Sequence, residues 1–172
     1  MLTFNEYTKV GIADYKICND ESGLLTLGLG SCVGICLYDA YTKIGGLAHI
    51  MLPSKPKDIV VTERSKLKYA DIALPEMIDE MLKIGCKKID LRAVIVGGGN
   101  MFLNSNLALE QTIGYRNYES VIEILAKYSI PIVAKDIGGS IGKTVYFNLK
   151  NGDVYVKKGL DVEQLYKGYV KG

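Results

Sequence analysis

Two apolar runs broken by glycine, Leu27-Gly28-Leu29-Gly30-Ser31-Cys32-Val33-Gly34-Ile35-Cys36 and Ile44-Gly45-Gly46-Leu47-Ala48-His49-Ile50-Met51-Leu52, are separated by the polar turn at residues 39–43. Runs this short, rich in β-branched residues and bounded by turn signals, form neighbouring antiparallel strands. That pairing brings Cys32 close to His49, the only histidine of the chain. A cysteine on a glycine turn with a histidine on the next strand is the arrangement of a thiol nucleophile and its base. Gly28, Gly30 and Gly34 let the backbone turn sharply and leave the N–H groups of Gly30, Ser31 and Cys32 beside the sulfur, as an oxyanion hole requires.

Thiolate is the reactive species, and at an unperturbed pKa of about 8.5 it is only a few per cent of the population near neutral pH. The pattern therefore calls for a protonated imidazole within hydrogen-bond reach to lower that pKa. The second imidazole nitrogen needs its own partner. Thr26, on the incoming strand, is the first candidate, Ser31 the second and Asp39 the third. The competing reading is structural, a buried cysteine beside a satisfied core histidine. Residues 33–38 read either as a strand or as a short helix opening at Cys32, whose dipole would itself lower the thiol pKa. Val33, Gly34 and Ile35 favour the strand.

The remaining elements follow the same logic. Residues 10–18 alternate as a first strand and residues 24–29 form the second, ending at the glycine turn. Residues 53–65 form an exposed loop beside the site. Apolar residues at helical spacing between 66 and 85 predict an amphipathic helix, with Pro75 producing a kink or a displaced start. Residues 89–96 read as a buried strand leading into Gly97-Gly98-Gly99-Asn100-Met101-Phe102. A second helix is expected over 115–127, and strands over 130–137, 143–149 and 154–157, the last two joined at Asn151-Gly152. The tail from 160 to 172 reads as a short helix. Strands at both ends around two main helices predict an α+β fold, a layered α/β/β sandwich of mixed, mostly antiparallel sheets, in one domain over residues 1–172.

Several functions are disfavoured. With 21 basic and 19 acidic residues and a net charge of +2, no basic stripe invites nucleic acid. No apolar run reaches the roughly 18 residues of a membrane span and no signal peptide opens the chain, so a cytoplasmic protein without membrane insertion is expected. The four cysteines (Cys18, Cys32, Cys36, Cys86) are spaced as free thiols rather than as disulfides or a zinc site, and no metal is expected. Triple glycine without Gly-x-x-x-x-Gly-Lys-Ser/Thr does not make a nucleotide cradle, so no cofactor is expected either. A redox sensor pairing Cys32 with Cys36 is a weaker reading, since strand alternation sets them about two pleats apart.

Six blocks in order carry a resemblance: Thr26-Leu27-Gly28-Leu29-Gly30-Ser31-Cys32, Ala48-His49-Ile50-Met51-Leu52-Pro53, Lys68-Tyr69-Ala70-Asp71, Gly97-Gly98-Gly99-Asn100-Met101-Phe102, Ile113-Gly114-Tyr115-Arg116-Asn117 and Asp136-Ile137-Gly138-Gly139. Together they resemble the CheD family, the chemoreceptor glutamine deamidases of bacterial chemotaxis. The resemblance implies a cysteine–histidine deamidase in which Cys32 attacks, His49 shuttles the proton and Thr26 is the third active-site residue. It implies cytoplasmic chemoreceptor helices as substrate and the CheC phosphatase as partner, with Met101 and Phe102 as an apolar knob for docking. Phe102 has a core position as its alternative. Where the family often has arginine after the second glycine turn, this chain has Lys143, which keeps the charge without the bidentate geometry. The spacing of Cys32 and His49 suits acyl transfer at any carbonyl; glutamine comes from the resemblance. A non-catalytic docking and regulatory module of the receptor array is the second reading.

Overall fold

The computed structural model describes residues 6–20, 22–102 and 106–168. Among the described residues ten strands form two five-stranded sheets. The first contains β1 (Tyr7–Lys9), β3 (Gly23–Leu29), β8 (Lys143–Asn148), β9 (Val154–Lys158) and β10 (Asp161–Tyr166), in that order across the sheet. The second runs β2 (Asp14–Cys18), β5 (Ile44–Ile50), β4 (Val33–Asp39), β6 (Leu91–Gly97) and β7 (Ile132–Ile137). Both sheets are mixed. The β1–β3 and β6–β7 pairs are parallel and the other pairs antiparallel.

Two helices, α1 (Ala70–Lys83) and α2 (Ile113–Lys127), cover one face of the second sheet. The central strands of that sheet are covered on both faces, so β4 and β5 are buried at every position, while the edge strands β2 and β7 are partly exposed. Their alternation sorts two cores. Val33, Ile35, Leu37, Ala48 and Ile50 meet Leu74, Met77, Ile78, Val121 and Leu125 of the helices. Cys36, Leu47, Val94 and Val96 meet Leu24, Leu29, Val145 and Phe147 of the other sheet. Each fully buried Leu, Ile or Val contributes about 1.5–3 kcal/mol. The expected α/β/β sandwich is the architecture that forms.

Three local expectations change. The 66–85 helix begins at Ala70, and Lys66–Lys68 makes a separate 3-10 turn, so Pro75 sits in the second turn of α1. The first strand is interrupted at Ala13, whose φ of 59° turns the chain between β1 and β2. The tail is not a helix where it is described: Asp161–Tyr166 pairs antiparallel with β9 as an edge strand, and residues 169–172 lie outside the described residues. Backbone pairing along β9 outweighs the weak apolar periodicity of that segment. Among the described residues no helix is long and apolar enough to cross a membrane.

Candidate active site

β4 and β5 pair with Gly34 directly opposite His49. Residues opposite one another share a face, so the imidazole lies on the face turned towards β3. Gly34 leaves it room, because a Cβ there would fall 3.1 Å from Leu29 Cδ1 and 3.6 Å from Thr26 Cγ2. Cys32 stands two positions before Gly34, just ahead of β4, and packs partly buried against the same inter-sheet core. It is therefore the diagonal neighbour of His49. Cys32 opens a strand and not a helix, so no helix dipole acts on its thiol.

Thr26 reaches the imidazole from the other sheet because alternation along β3 turns it inward with Leu24, and β3 is bulged just beyond it. Thr26 pairs with Val145 and Leu29 with Lys143, so three steps along β3 match two along β8. The extra residue keeps both Thr26 and Leu29 pointing inward, where plain alternation would expose Leu29.

Thr26 and His49 are both fully buried. Thr26 Oγ1 donates its one hydrogen to the Val10 carbonyl at 2.8 Å and lies 2.7 Å from His49 Nδ1. Having spent its proton, the hydroxyl accepts from Nδ1–H, which leaves the lone pair on Nε2. Nε2 has no hydrogen-bond partner among the described residues. Nε2 is thus the unpartnered ring nitrogen, on the side of the ring away from Thr26. Neither alternative third group competes: Asp39 accepts from the amides of Tyr41, Thr42 and Lys87 at the far end of β4, and the Ser31 carbonyl is held by Asn117.

Burial governs the charges. It pulls His49 down to about 4 and pushes the Cys32 thiol up, against an opposing effect from the backbone N–H of Cys32. The resting pair is neutral thiol and neutral imidazole, where the sequence suggested an ion pair. The reason is that both groups sit between two sheets with no countercharge beside them. Cys36 is deeper, with its thiol pushed up by burial alone, and all four cysteines are free.

The nucleophile turn is tied down through its carbonyls. Gly98 N–H donates to Cys32 O and Gly99 N–H to Gly30 O, both at 2.8 Å, while Asn117 Nδ2 donates to Ser31 O at 3.0 Å. Gly97 has φ 117°, and a Cβ there would fall on the Cys32 carbonyl oxygen, so the triple glycine is a backbone clamp on this turn. Among the described residues no backbone bond leaves the amides of Ser31 or Cys32, the Cys32 N–H lying against its own sulfur. Gly30 N–H is occupied by Gly28 O at 3.1 Å, so of the three expected oxyanion donors only Ser31 and Cys32 remain available.

Met101 lies over Gly30, its Cγ 3.0 Å from where a Cβ would stand. Phe102 is 75% exposed and Met101 42%, which removes the core alternative for Phe102. They border a groove of about 310 Å³ that begins at Ser31 and continues past Leu107, Ile113 and Arg116. Lys143 is buried, and its ammonium donates to the Asp136 carbonyl and carboxylate and to Gly138 O at 2.9–3.0 Å. Its three hydrogens are fully used in holding the Gly138-Gly139 turn. Burial opposes the Asp136 carboxylate, but Lys158 and Lys143 outweigh it and hold it below its ordinary value. Among the described residues no three His, Cys, Asp or Glu side chains gather as metal ligands.

Asn117 is the site residue that sequence reasoning missed, although its block was noted. It stands on the buried face of α2 among apolar neighbours, and a buried asparagine at a helical core position was the available signal.

The family model described as "CheD chemotactic sensory transduction" matches residues 51–158. The probable chemoreceptor glutamine deamidase CheD of Clostridium botulinum strain Hall is 44% identical over 158 residues, covering 91% of this chain and 96% of that protein. The corresponding protein of Clostridium novyi strain NT is 43% identical over 149 residues, covering 87% and 91%. The crystal structure of the Bacillus licheniformis hypothetical protein YfiH aligns with a TM-score of 0.48 at 17% identity, over 74% of this chain and 50% of that one. By the family match and by identity to relatives along most of its length, the chain belongs to the CheD family.

Proposed function

We propose that this chain is a chemoreceptor glutamine deamidase, acting as a single domain in the cytoplasm on glutamine side chains of receptor helices. The proton chain from His49 Nδ1–H through the Thr26 hydroxyl to Val10 O carries this reading, because it leaves Nε2 as the unpartnered ring nitrogen on the sheet face where Cys32 lies two positions before Gly34, the residue opposite His49. The names of the Clostridium relatives supply the substrate class.

The chemistry starts from the neutral pair. As the substrate carboxamide seats, Nε2 takes the thiol proton and Cys32 Sγ attacks the carbonyl carbon. The amides of Ser31 and Cys32 receive the developing oxyanion. Collapse of the tetrahedral intermediate breaks the carbon–nitrogen bond, and His49 returns the proton to the departing ammonia. Water then gives a proton to Nε2 and attacks the thioester, leaving glutamate on the receptor and the thiol restored on Cys32. Each turnover adds one negative charge to a receptor helix, which alters its packing with neighbouring helices. Cys32→Ala is the test, read as a mass gain of about one dalton per site on receptor fragments. Full deamidation by that variant overturns the mechanism.

The exposure of Phe102 beside the Ser31 groove supports a second role, docking of the CheC phosphatase at Met101 and Phe102. The two roles coexist on adjoining surfaces. A purely regulatory module would keep the docking face while tolerating loss of Cys32.

A further inference from the structure

Asn117 Nδ2 donates both of its hydrogens to backbone carbonyls, to Ser31 O at 3.0 Å and to Met51 O at 2.9 Å. Ser31 precedes the nucleophile by one residue, and Met51 follows the base by two. A single planar amide therefore spans the two segments that carry Cys32 and His49. Its orientation is fixed, because the flipped amide would set an oxygen against two carbonyl oxygens.

The other end of the side chain has no such account. Asn117 is fully buried, yet Oδ1 has no partner among the described residues. An orphaned buried oxygen is unfavourable, and an apolar side chain of similar volume would avoid it while packing α2 equally well. Packing therefore does not explain asparagine at this position. The two donated bonds do. Neighbouring residues of the same helix face reinforce them: Gly114 is pressed against Gly98 and Gly99, and Ser120 Oγ donates to Pro53 O at 2.6 Å. This face of α2 meets the triple glycine and the chain leaving β5, and Asn117 adds the nucleophile turn.

We infer that Asn117 is a positioning residue, the cross-link that sets the spacing between the Cys32 turn and the His49 strand. The inference rests on Cys32 and His49 being the catalytic pair. Asn117→Ala, which removes the orphaned oxygen but also leaves Ser31 O and Met51 O without their donor, is expected to fold with a melting temperature below that of the parent, so its kinetics are read well below the transition. Its kcat on receptor fragments should fall by about 10- to 100-fold, with KM within about twofold, the scale of a misplaced reacting group.

The decisive readout is coupling. In a His49→Ala background, where there is no base left to position, adding Asn117→Ala should change the residual rate by less than about twofold. An equal loss in both backgrounds would make Asn117 a general structural residue and overturn the inference, as would parental kcat in folded Asn117→Ala. Should the alanine variant not fold, Asn117→Gln, which keeps the donor on a longer arm, is read in its place, and parental kcat there has the same consequence. Undiminished turnover in His49→Ala alone would overturn the assignment of the pair itself, whatever Asn117 does.

Discussion

Thr26→Val removes one hydroxyl while keeping the shape of the side chain, and two buried groups lose their partners at once. Val10 O loses the donor at 2.8 Å and His49 Nδ1–H the acceptor at 2.7 Å. No water reaches either group, since Thr26 and His49 are both fully buried. At about 1–3 kcal/mol for each buried group left unpaired, the expected loss of stability is about 2–6 kcal/mol. For a chain of this size that is a fall in melting temperature of about 5–20 °C. Catalysis should suffer separately. Without an acceptor at Nδ1 the imidazole no longer favours the tautomer with a bare Nε2, and general acid–base assistance worth about 10²–10⁴ in rate is weakened. Thermal unfolding and deamidation of receptor fragments below the transition measure the two effects. Thr26→Ser, which keeps the hydroxyl, should stay near the parent in kcat. A valine variant with parental melting temperature and kcat would refute the hydrogen-bond chain as a working element.

Two further expectations follow from burial. His49 is held at about 4 against an ordinary 6.5, so the unfolded chain binds the extra proton first. The corresponding stability is fully present above pH 6.5 and is lost as pH falls towards 4. Between pH 6.5 and 5 the loss should be about 2 kcal/mol in urea unfolding and absent in His49→Gln; a flat parental profile over that window would contradict a buried neutral imidazole. Phe102→Asp replaces a side chain that is 75% exposed, so stability should hold within about 0.5 kcal/mol. Its affinity for the CheC phosphatase in titration calorimetry should weaken at least about tenfold, and unchanged affinity would move the docking face elsewhere.

How legible each part was depends on how local its cause is. Cys32 and His49 belong to consecutive strand segments joined by a short turn, so their placement follows from pairing alone, and Thr26 came from its place on the incoming strand and from the resemblance. The charge state did not follow, because desolvation between two sheets is a property of the assembled layers. Nor did the bulge at Leu27 and Gly28, which only the partner register of β8 reveals, or the loss of Gly30 N–H to Gly28 O. Asn117 depends on how α2 seats over the second sheet. Lys143 could be read as a free cation until Asp136 and Gly138 were placed around it. The tail was misread because the edge of β9, and not its own periodicity, decides its conformation.

The separation of contacts along the chain has a kinetic consequence. Thr26 and His49 are 23 positions apart, whereas Asn117 reaches Ser31 across 86. Contacts between near neighbours close sooner than those between distant segments. During folding Cys32, His49 and Thr26 can therefore assemble before Gly98, Gly99 and Asn117 arrive to fasten the turn. A chain still emerging from synthesis, or arrested without α2, holds all of its chemical groups but not the frame that aims them. Under the proposed mechanism, reactivity at Cys32 would mature with the last long-range contacts, and a half-folded molecule would be spared an armed thiol.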